Sequence, residues 1–186
     1  MLNNLGYVSA VIIMLVSGHA EAESPANGFG LFGGVVRYSM TAKSIVDGSS
    51  YDSSGVGVTL GLDYQFSLND NISINPFAMS TSENPSGHLA GYNVDRVGHG
   101  ILGVQGRYWM QDQIFIGADI GLYSEGYNIR DDYTRASGDG YGLAVGWESK
   151  ISGLIASVRY DRATVGYSNV DVELSGIRLH VGYRWK

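Results

Sequence analysis

Ile177-Arg178-Leu179-His180-Val181-Gly182-Tyr183-Arg184-Trp185 alternates without a break, with Ile177, Leu179, Val181, Tyr183 and Trp185 on one face and Arg178, His180, Gly182 and Arg184 on the other. A period of two marks a β-strand with one apolar and one polar face. Alternation alone does not say which face meets water, because a soluble sheet and a membrane sheet read the same way. What decides is its repetition along the chain, the character of the N-terminus, and the residues at the ends of the apolar faces.

Walking back from that stretch, eight strands are predicted between Gly28 and Lys186. The clearest is Val56–Phe66: Val56, Val58, Leu60, Leu62, Tyr64 and Phe66 face outward, and Gly57, Thr59, Gly61, Asp63 and Gln65 face inward. The first, Phe29–Met40, is read with Phe32, Val36, Tyr38 and Met40 outward and Gly33, Val35 and Arg37 inward. In the third, Ile72–Ser80, Ile72, Ile74, Pro76 and Ala78 point out and Asn75 in, and Pro76, which has no N–H to donate, marks a weak point in the ladder. The fourth, Val97–Trp109, turns Leu102, Val104 and Tyr108 outward and Gln105 and Arg107 inward. The fifth, Ile114–Glu125, turns Ile116, Ile120 and Leu122 out and Asp119, Tyr123 and Glu125 in. The sixth exposes Tyr141, Leu143, Val145 and Trp147 against inward Glu148, and the seventh sets Leu154, Val158 and Tyr160 against Ser157, Arg159 and Asp161.

The connections alternate in length. Those after the second, fourth and sixth strands are short, whereas Thr41–Ser54, Thr81–Arg96, Gly126–Gly138 and Ala163–Asp171 are longer and polar. Short turns on one side and long loops on the other are expected of a transmembrane barrel. Tyr64, Phe66, Tyr108, Trp147, Tyr183 and Trp185 all fall at the turn end, where an interfacial aromatic girdle belongs. Tyr38, Tyr141 and Tyr160 would make a sparser girdle at the loop end. Of the 27 glycines, Gly57, Gly61, Gly103, Gly117, Gly121, Gly142, Gly146 and Gly182 share the inward parity, as a narrow closed barrel requires. The main competing class is a soluble β-sandwich or barrel, in which aromatics gathered at strand ends would have no purpose.

Composition agrees with this reading. The 186 residues carry no cysteine, so neither disulfides nor thiolate chemistry is available. Leu5–Val16 is an apolar run too short to span a bilayer as a helix, and Ala20-Glu21-Ala22 has small residues where a signal peptidase cuts, so residues 1–22 read as a signal peptide and 23–186 as one barrel domain. No basic residue precedes Arg37, leaving the α-amino group as the only positive charge at that end. A formal net charge of −6 argues against nucleic acid as a partner.

With its eight strands, unequal loops and terminal Leu179-His180-Val181-Gly182-Tyr183-Arg184-Trp185, the chain resembles the small eight-stranded bacterial outer-membrane proteins of the OmpX/Ail and OmpA-barrel kind. The resemblance spans Gly28 to Trp185, and it implies a monomeric, non-enzymatic barrel in the bacterial outer membrane. It also implies contact with lipid and lipopolysaccharide, periplasmic termini, and extracellular loops that bind a ligand or surface. The final segment looks like the β-signal read by the barrel assembly machinery, although here Lys186 follows the terminal aromatic.

Arg37, Asp63, Arg107, Asp119, Glu125, Glu148, Arg159, Asp161, Arg178 and Arg184 are predicted to form a charged interior plug. An eight-stranded lumen has room for side chains and little else, so paired filling is expected rather than a pore. Glu148, Ser157 and His180 share inward parity on adjacent strands and contain the parts of a nucleophilic triad, but an inward serine among charges is out of reach of acyl chains. His180 also lacks the His-x-Ser context of the lipid A deacylases, being followed by Val181 and Gly182. His88 and His99, near Glu83 and Asp95, match no metal-ligand spacing. Arg130, Asp131, Asp132 and Arg135 read as an ordinary wet loop, whereas Tyr51, Tyr92, Tyr127, Tyr133 and Tyr167 would suit a loop binding surface. No catalytic set, metal or cofactor is therefore expected. A lipid A-modifying hydrolase and a narrow pore stay open as alternatives.

Overall fold

The computed structural model describes residues 27–86, 88–89, 92–93, 97–110, 113–129, 132–167 and 170–185. The predicted signal peptide lies outside them. Eight strands, β1 (Gly28–Ser44), β2 (Ser50–Ser67), β3 (Ile72–Ser86), β4 (Val97–Met110), β5 (Ile114–Ile129), β6 (Asp132–Glu148), β7 (Leu154–Tyr167) and β8 (Val170–Trp185), form one closed antiparallel barrel. Each strand pairs with its sequence neighbours, and β8 closes on β1. A separate ladder of His88–Leu89 against Tyr92–Asn93 lies between β3 and β4.

Following paired residues once round the wall from Arg37 ends opposite Asn27, ten residues along β1 from the start. That stagger makes the strands lean about 40° to the barrel axis. At the turn end, Asn69 Oδ1 accepts hydrogen bonds from the amides of Asn71 and Ile72, both at 2.9 Å. Gly153, with φ of 73°, closes the β6–β7 turn and accepts the Arg184 amide at 2.8 Å. Between the Asp63–Phe77 and Phe66–Ile74 pairs the β2–β3 ladder is interrupted, next to Pro76, as the missing proline donor requires.

The strands run further than expected on the loop side. β1 reaches Ser44 and β2 begins at Ser50, so most of Thr41–Ser54 is paired sheet, and Gly126–Gly138 and Ala163–Asp171 likewise join the walls of β5–β8. Polar alternation looks loop-like in a sequence, yet a hydrogen-bonded ladder does not need an apolar outer face once it has left the lipid. In the β1–β2 turn, hydrogen bonds from Ser44 and Ser49 hold the Asp47 carboxyl down at about 2.

Polarity inverts along the axis. Toward the turns, the outside carries exposed Leu31, Leu60, Leu62, Leu102, Leu122 and Leu179, while the inside is charged. Toward the loops, the outside carries Thr41, Asp52, Arg162 and Glu173, while Met40, Ala42, Val165, Val172 and Leu174 fill the interior. The same wall therefore has a membrane-type section continuous with a water-soluble one.

This inversion explains the one strand, β1, whose faces differ from those its sequence predicts. Val36, Tyr38 and Met40 are buried inside, Phe32 packs against that core, and Val35 and Arg37 point outward. Arg37 therefore does not belong to the interior plug, nor Tyr38 to an outer girdle. The larger apolar residues of β1 lie in the section where the apolar face is the inner one, so size misleads there. The register is unambiguous, because Arg37 pairs with outward Val56 and Ile177.

Glycine and aromatic residues are complementary inside the wall. A Cβ on Gly61 or Gly182 would overlap Phe32, one on Gly103 would overlap Phe77, one on Gly146 Phe115, and one on Gly140 Tyr123. Each of these four rings thus lies over a neighbouring strand that carries no side chain at that point. This is how a lumen lined by eight strands accommodates these four rings alongside its charges.

Candidate functional site

The lumen contains three linked polar layers. At the turn end, Asp63 is the hub: Arg184 donates to both of its oxygens at 3.0 Å, Arg107 Nη2 donates to Oδ2 at 2.9 Å, and Asn75 Nδ2 adds a bond at 3.3 Å. Arg184 Nε also donates to Glu148 at 3.1 Å, and Nη1 to the Gly28 carbonyl at 3.0 Å. Arg107 reaches Gln105 Oε1 at 2.6 Å and lies over the Phe115 ring at 4.4 Å. In the middle layer, Arg159 Nη2 donates to Asp119 Oδ1 at 2.8 Å, Gln105 Nε2 donates to the other oxygen of that carboxylate at 3.2 Å, and the Arg159 guanidinium stacks over Phe77 at 4.8 Å. Nearer the loops, Arg178 donates to Asp161 at 2.6 Å and to Thr81 at 2.7 Å, and it touches His99 across the barrel.

These layers bring together Asp63, Arg107, Asp119, Glu148, Arg159, Asp161, Arg178 and Arg184. Glu125 is buried near them, opposite His99 in the β4–β5 register. Among the described residues four buried arginines face five buried carboxylates, so the interior is close to neutral. Charges removed from water are tolerable only when paired and hydrogen-bonded, and this set meets that requirement largely within itself. His99 is a buried member of the plug rather than a loop residue, because β4 begins at Val97 and turns odd positions inward. Gln65, Ser73 and Thr81, not singled out from sequence as functional, are neutral links in the same network, and inward parity was the signal that marked them.

Ser157, His180 and Glu148 do not form a triad. Ser157 and His180 are register partners on β7 and β8, but no hydrogen bond joins them, and His180 Nε2 has no hydrogen-bond partner. His180 stacks on Phe32 at 5.0 Å, and both oxygens of Glu148 accept from Arg184. A cavity of about 30 Å³ beside Ser157, Gln105 and His180 has room for about a water or two. On its loop side the lumen is closed by Met40, Ala42, Val165 and Val172, which are essentially inaccessible to solvent.

The outer surface is the other half of the site. Trp185, Phe29 and Tyr64 are successive register partners across β8, β1 and β2, and the Phe29–Trp185, Tyr64–Phe66 and Tyr183–Trp185 ring pairs lie 4.6–6.0 Å apart. Tyr108 is exposed at the same end, and Trp147 donates from its indole to Gln113 at 2.8 Å. Phe29, which sequence reading did not place among these aromatics, joins the last strand to the first. On the loop side, Tyr141 and Tyr160 are exposed, and Arg135 donates to Ser124 at 3.1 Å. The side chains of Glu83, His88, Asp95, Arg130, Asp131, Asp132 and of the five loop tyrosines lie outside the described residues.

The profile of one protein family, described as the outer membrane protein beta-barrel domain, matches residues 8–184. Comparison with curated proteins gives no match. Among solved structures, the chain is similar to Ail, the attachment invasion locus protein of Yersinia pestis, in a complex with the heparin analogue sucrose octasulfate. The two are 13% identical with a TM-score of 0.58, covering 86% of this chain and 100% of Ail. It is also similar to Neisserial surface protein A, at 12% identity and a TM-score of 0.54 over 83% of this chain and 97% of the other. At such identities these likenesses speak for the fold.

Proposed function

Because this chain belongs to the outer membrane protein β-barrel domain family, we propose that it is a non-enzymatic envelope protein of the bacterial outer membrane. In this reading it supports envelope integrity and presents its loop end to an extracellular ligand or surface. The observation that carries the proposal is the inverted wall: below, an apolar exterior around a filled lumen, and above, a polar-faced barrel closed by its own core. A sealed anchor carrying a raised, hydrated platform suits display better than transport or catalysis. The first and last described residues, Asn27 and Trp185, lie at the turn end, which is the periplasmic side in this reading. Export by a signal peptide ending at Ala22, assembly by the barrel machinery and a monomeric state belong to the same proposal. Binding of sucrose octasulfate by Ail supports an external ligand for a barrel of this shape.

The test compares a deletion strain with one complemented by the full chain and one complemented by a chain whose residues 87–96 are replaced with a short Gly-Ser turn. Loss of the protein is expected to raise detergent sensitivity and lower binding to immobilised heparin, with the loop-replaced chain restoring only the former. Unchanged sensitivity and binding would remove the proposal. Discrete conductance steps in planar bilayers would move the function to a pore, and altered lipid A acylation abolished by Ser157→Ala would move it to a hydrolase.

A further inference from the structure

On the side of the barrel away from the β8–β1 seam, the outer wall carries a trough. Gly103 of β4, Gly121 of β5 and Gly140 of β6 are successive register partners, so one row of the wall is bare backbone. Leu102, Leu122 and Asp139 border that row toward the loops, Val104 and Ile120 border it toward the turns, and Pro76 of β3 ends it. Leu102, Val104, Ile120 and Leu122 are all exposed. The trough spans three strand spacings, about 14 Å, and the lean of the strands makes it descend about 9 Å toward the turns from Asp139 to Pro76.

Asp139 stands at the upper end of this trough. It is exposed, with Ser137 as the next outward residue toward the loops and Tyr141 as the next toward the turns. Among the described residues it makes no ion pair or hydrogen bond. Its register partner on β7, Thr164, is uncharged, and the two arginines nearest in the outward pattern are engaged elsewhere. Arg135, further up β6, donates to Ser124 at 3.1 Å, and Arg162, diagonal to Asp139 on β7, donates to Glu173 at 2.8 Å. A carboxylate at the edge of an apolar surface with no cation of its own gains most from an ammonium held at that level.

We propose that the trough binds a single-tailed cationic amphiphile, with its ammonium on Asp139 and its alkyl tail lying over Gly103, Gly121 and Gly140. Charge chooses the head: Asp139 is the charged residue of the lining, so it repels an anionic head and is left unpaired by a neutral one. The missing side chains choose the tail, because a trough one residue row wide admits one chain, held between Leu102 and Leu122 on one side and Val104 and Ile120 on the other. Within lipid the tail gains by close packing rather than by leaving water, so the head supplies the selectivity. A free amine would use the carboxylate but leave the trough without a role. The inference rests on the reading that the apolar band lies in the outer membrane, and it adds to that reading a ligand taken from within the membrane.

The full barrel is reconstituted in phosphatidylcholine vesicles holding a trace of nitroxide-labelled dodecylammonium, dodecanoate or dodecanol, and electron spin resonance measures the fraction of each label that the protein immobilises. Wild type is expected to immobilise the ammonium in preference to the other two. D139N should lower that preference about fivefold, the most that an exposed ion pair gives. V104W, which covers the trough and leaves the carboxylate in place, should lower the immobilised ammonium as well, and D52N, away from the trough, should leave it unchanged. Equal immobilisation of the three labels by wild type, or an ammonium preference that survives D139N, would overturn the site. Wild-type behaviour of V104W, or full displacement by millimolar ethylammonium at constant ionic strength, would overturn the tailed amphiphile as its occupant. Heat-modifiable migration shows that each variant has folded. A folded barrel that immobilises none of the labels would show that the band does not meet lipid, so failure of the membrane reading is seen separately from failure of the site.

Discussion

Asp63→Ala is expected to destabilise the folded barrel by about 3–5 kcal/mol, the usual cost of removing one partner from a buried ion pair. Asp63 is 1% exposed and accepts from Arg107, Arg184 and Asn75, so its loss leaves two guanidiniums without their shared carboxylate in a lumen that has room for only about a water or two. Glu148 remains within 3.1 Å of Arg184 but only 4.0 Å from Arg107, so Arg107 is the more exposed to this loss. Reversible urea unfolding in lipid vesicles measures the effect. Asp63→Asn, which keeps the acceptor oxygen, should cost less, and adding Arg107→Met to Asp63→Ala should recover part of the loss. An Asp63→Ala barrel as stable as wild type would mean that the plug contributes shape and no pairing energy.

The second large effect is steric. Gly146→Val places a branched side chain where Phe115 already lies, with the Ala156 carbonyl 2.9 Å from the new Cβ. Phe115 is 1% exposed and held by the Arg107 guanidinium at 4.4 Å and the Trp109 ring at 5.2 Å, with only the cavity of about 30 Å³ beside it to give way into. Overpacking of this kind costs about 1–3 kcal/mol or more, and here it also hinders closure of the wall. The expected result is a sharp fall in the heat-modifiable folded fraction, partly restored by adding Phe115→Ala. Gly106→Ala is the control: it faces outward, and the nearest atom to its new Cβ is at 4.0 Å, so it should fold as wild type does.

Much of this architecture is legible in the sequence because lipid and lumen select opposite residue types at every second position. β2 and β8 show it in full, and their parity places Asp63, Arg178 and Arg184 inside without reference to any other strand. β1 fails for a physical reason. Its loop-side half lies outside the lipid, where the inner face is the apolar one, and Val36, Tyr38 and Met40 obey that rule while Arg37 stays outside. The strands run beyond their sequence-predicted ends for the same reason, since Thr41, Asp52, Thr164 and Glu173 are loop-like in composition yet lie in paired sheet. Pairing within the plug was beyond the sequence altogether. Arg178 meets Thr81 and His99 across the lumen, and only the register and stagger of the closed barrel bring those heights together. The Ser157 and His180 parity match shows the converse: adjacent strands and a shared face placed them side by side, but the chemistry needed a hydrogen bond that is not there.

The leucine-rich outer face meets lipid while the wall above it meets water, and collision probes tell the two apart. With no native cysteine, any introduced one is a unique label site. Nitroxides placed at residues 60, 122 and 179, and separately at 52, 137 and 173, in the vesicle-reconstituted barrel can be probed by collision with oxygen and with a water-soluble nickel complex. The first set is predicted to collide mainly with oxygen and the second mainly with nickel. Nickel access at 60, 122 and 179, or immobilised labels there as in a packed core, would contradict the membrane barrel.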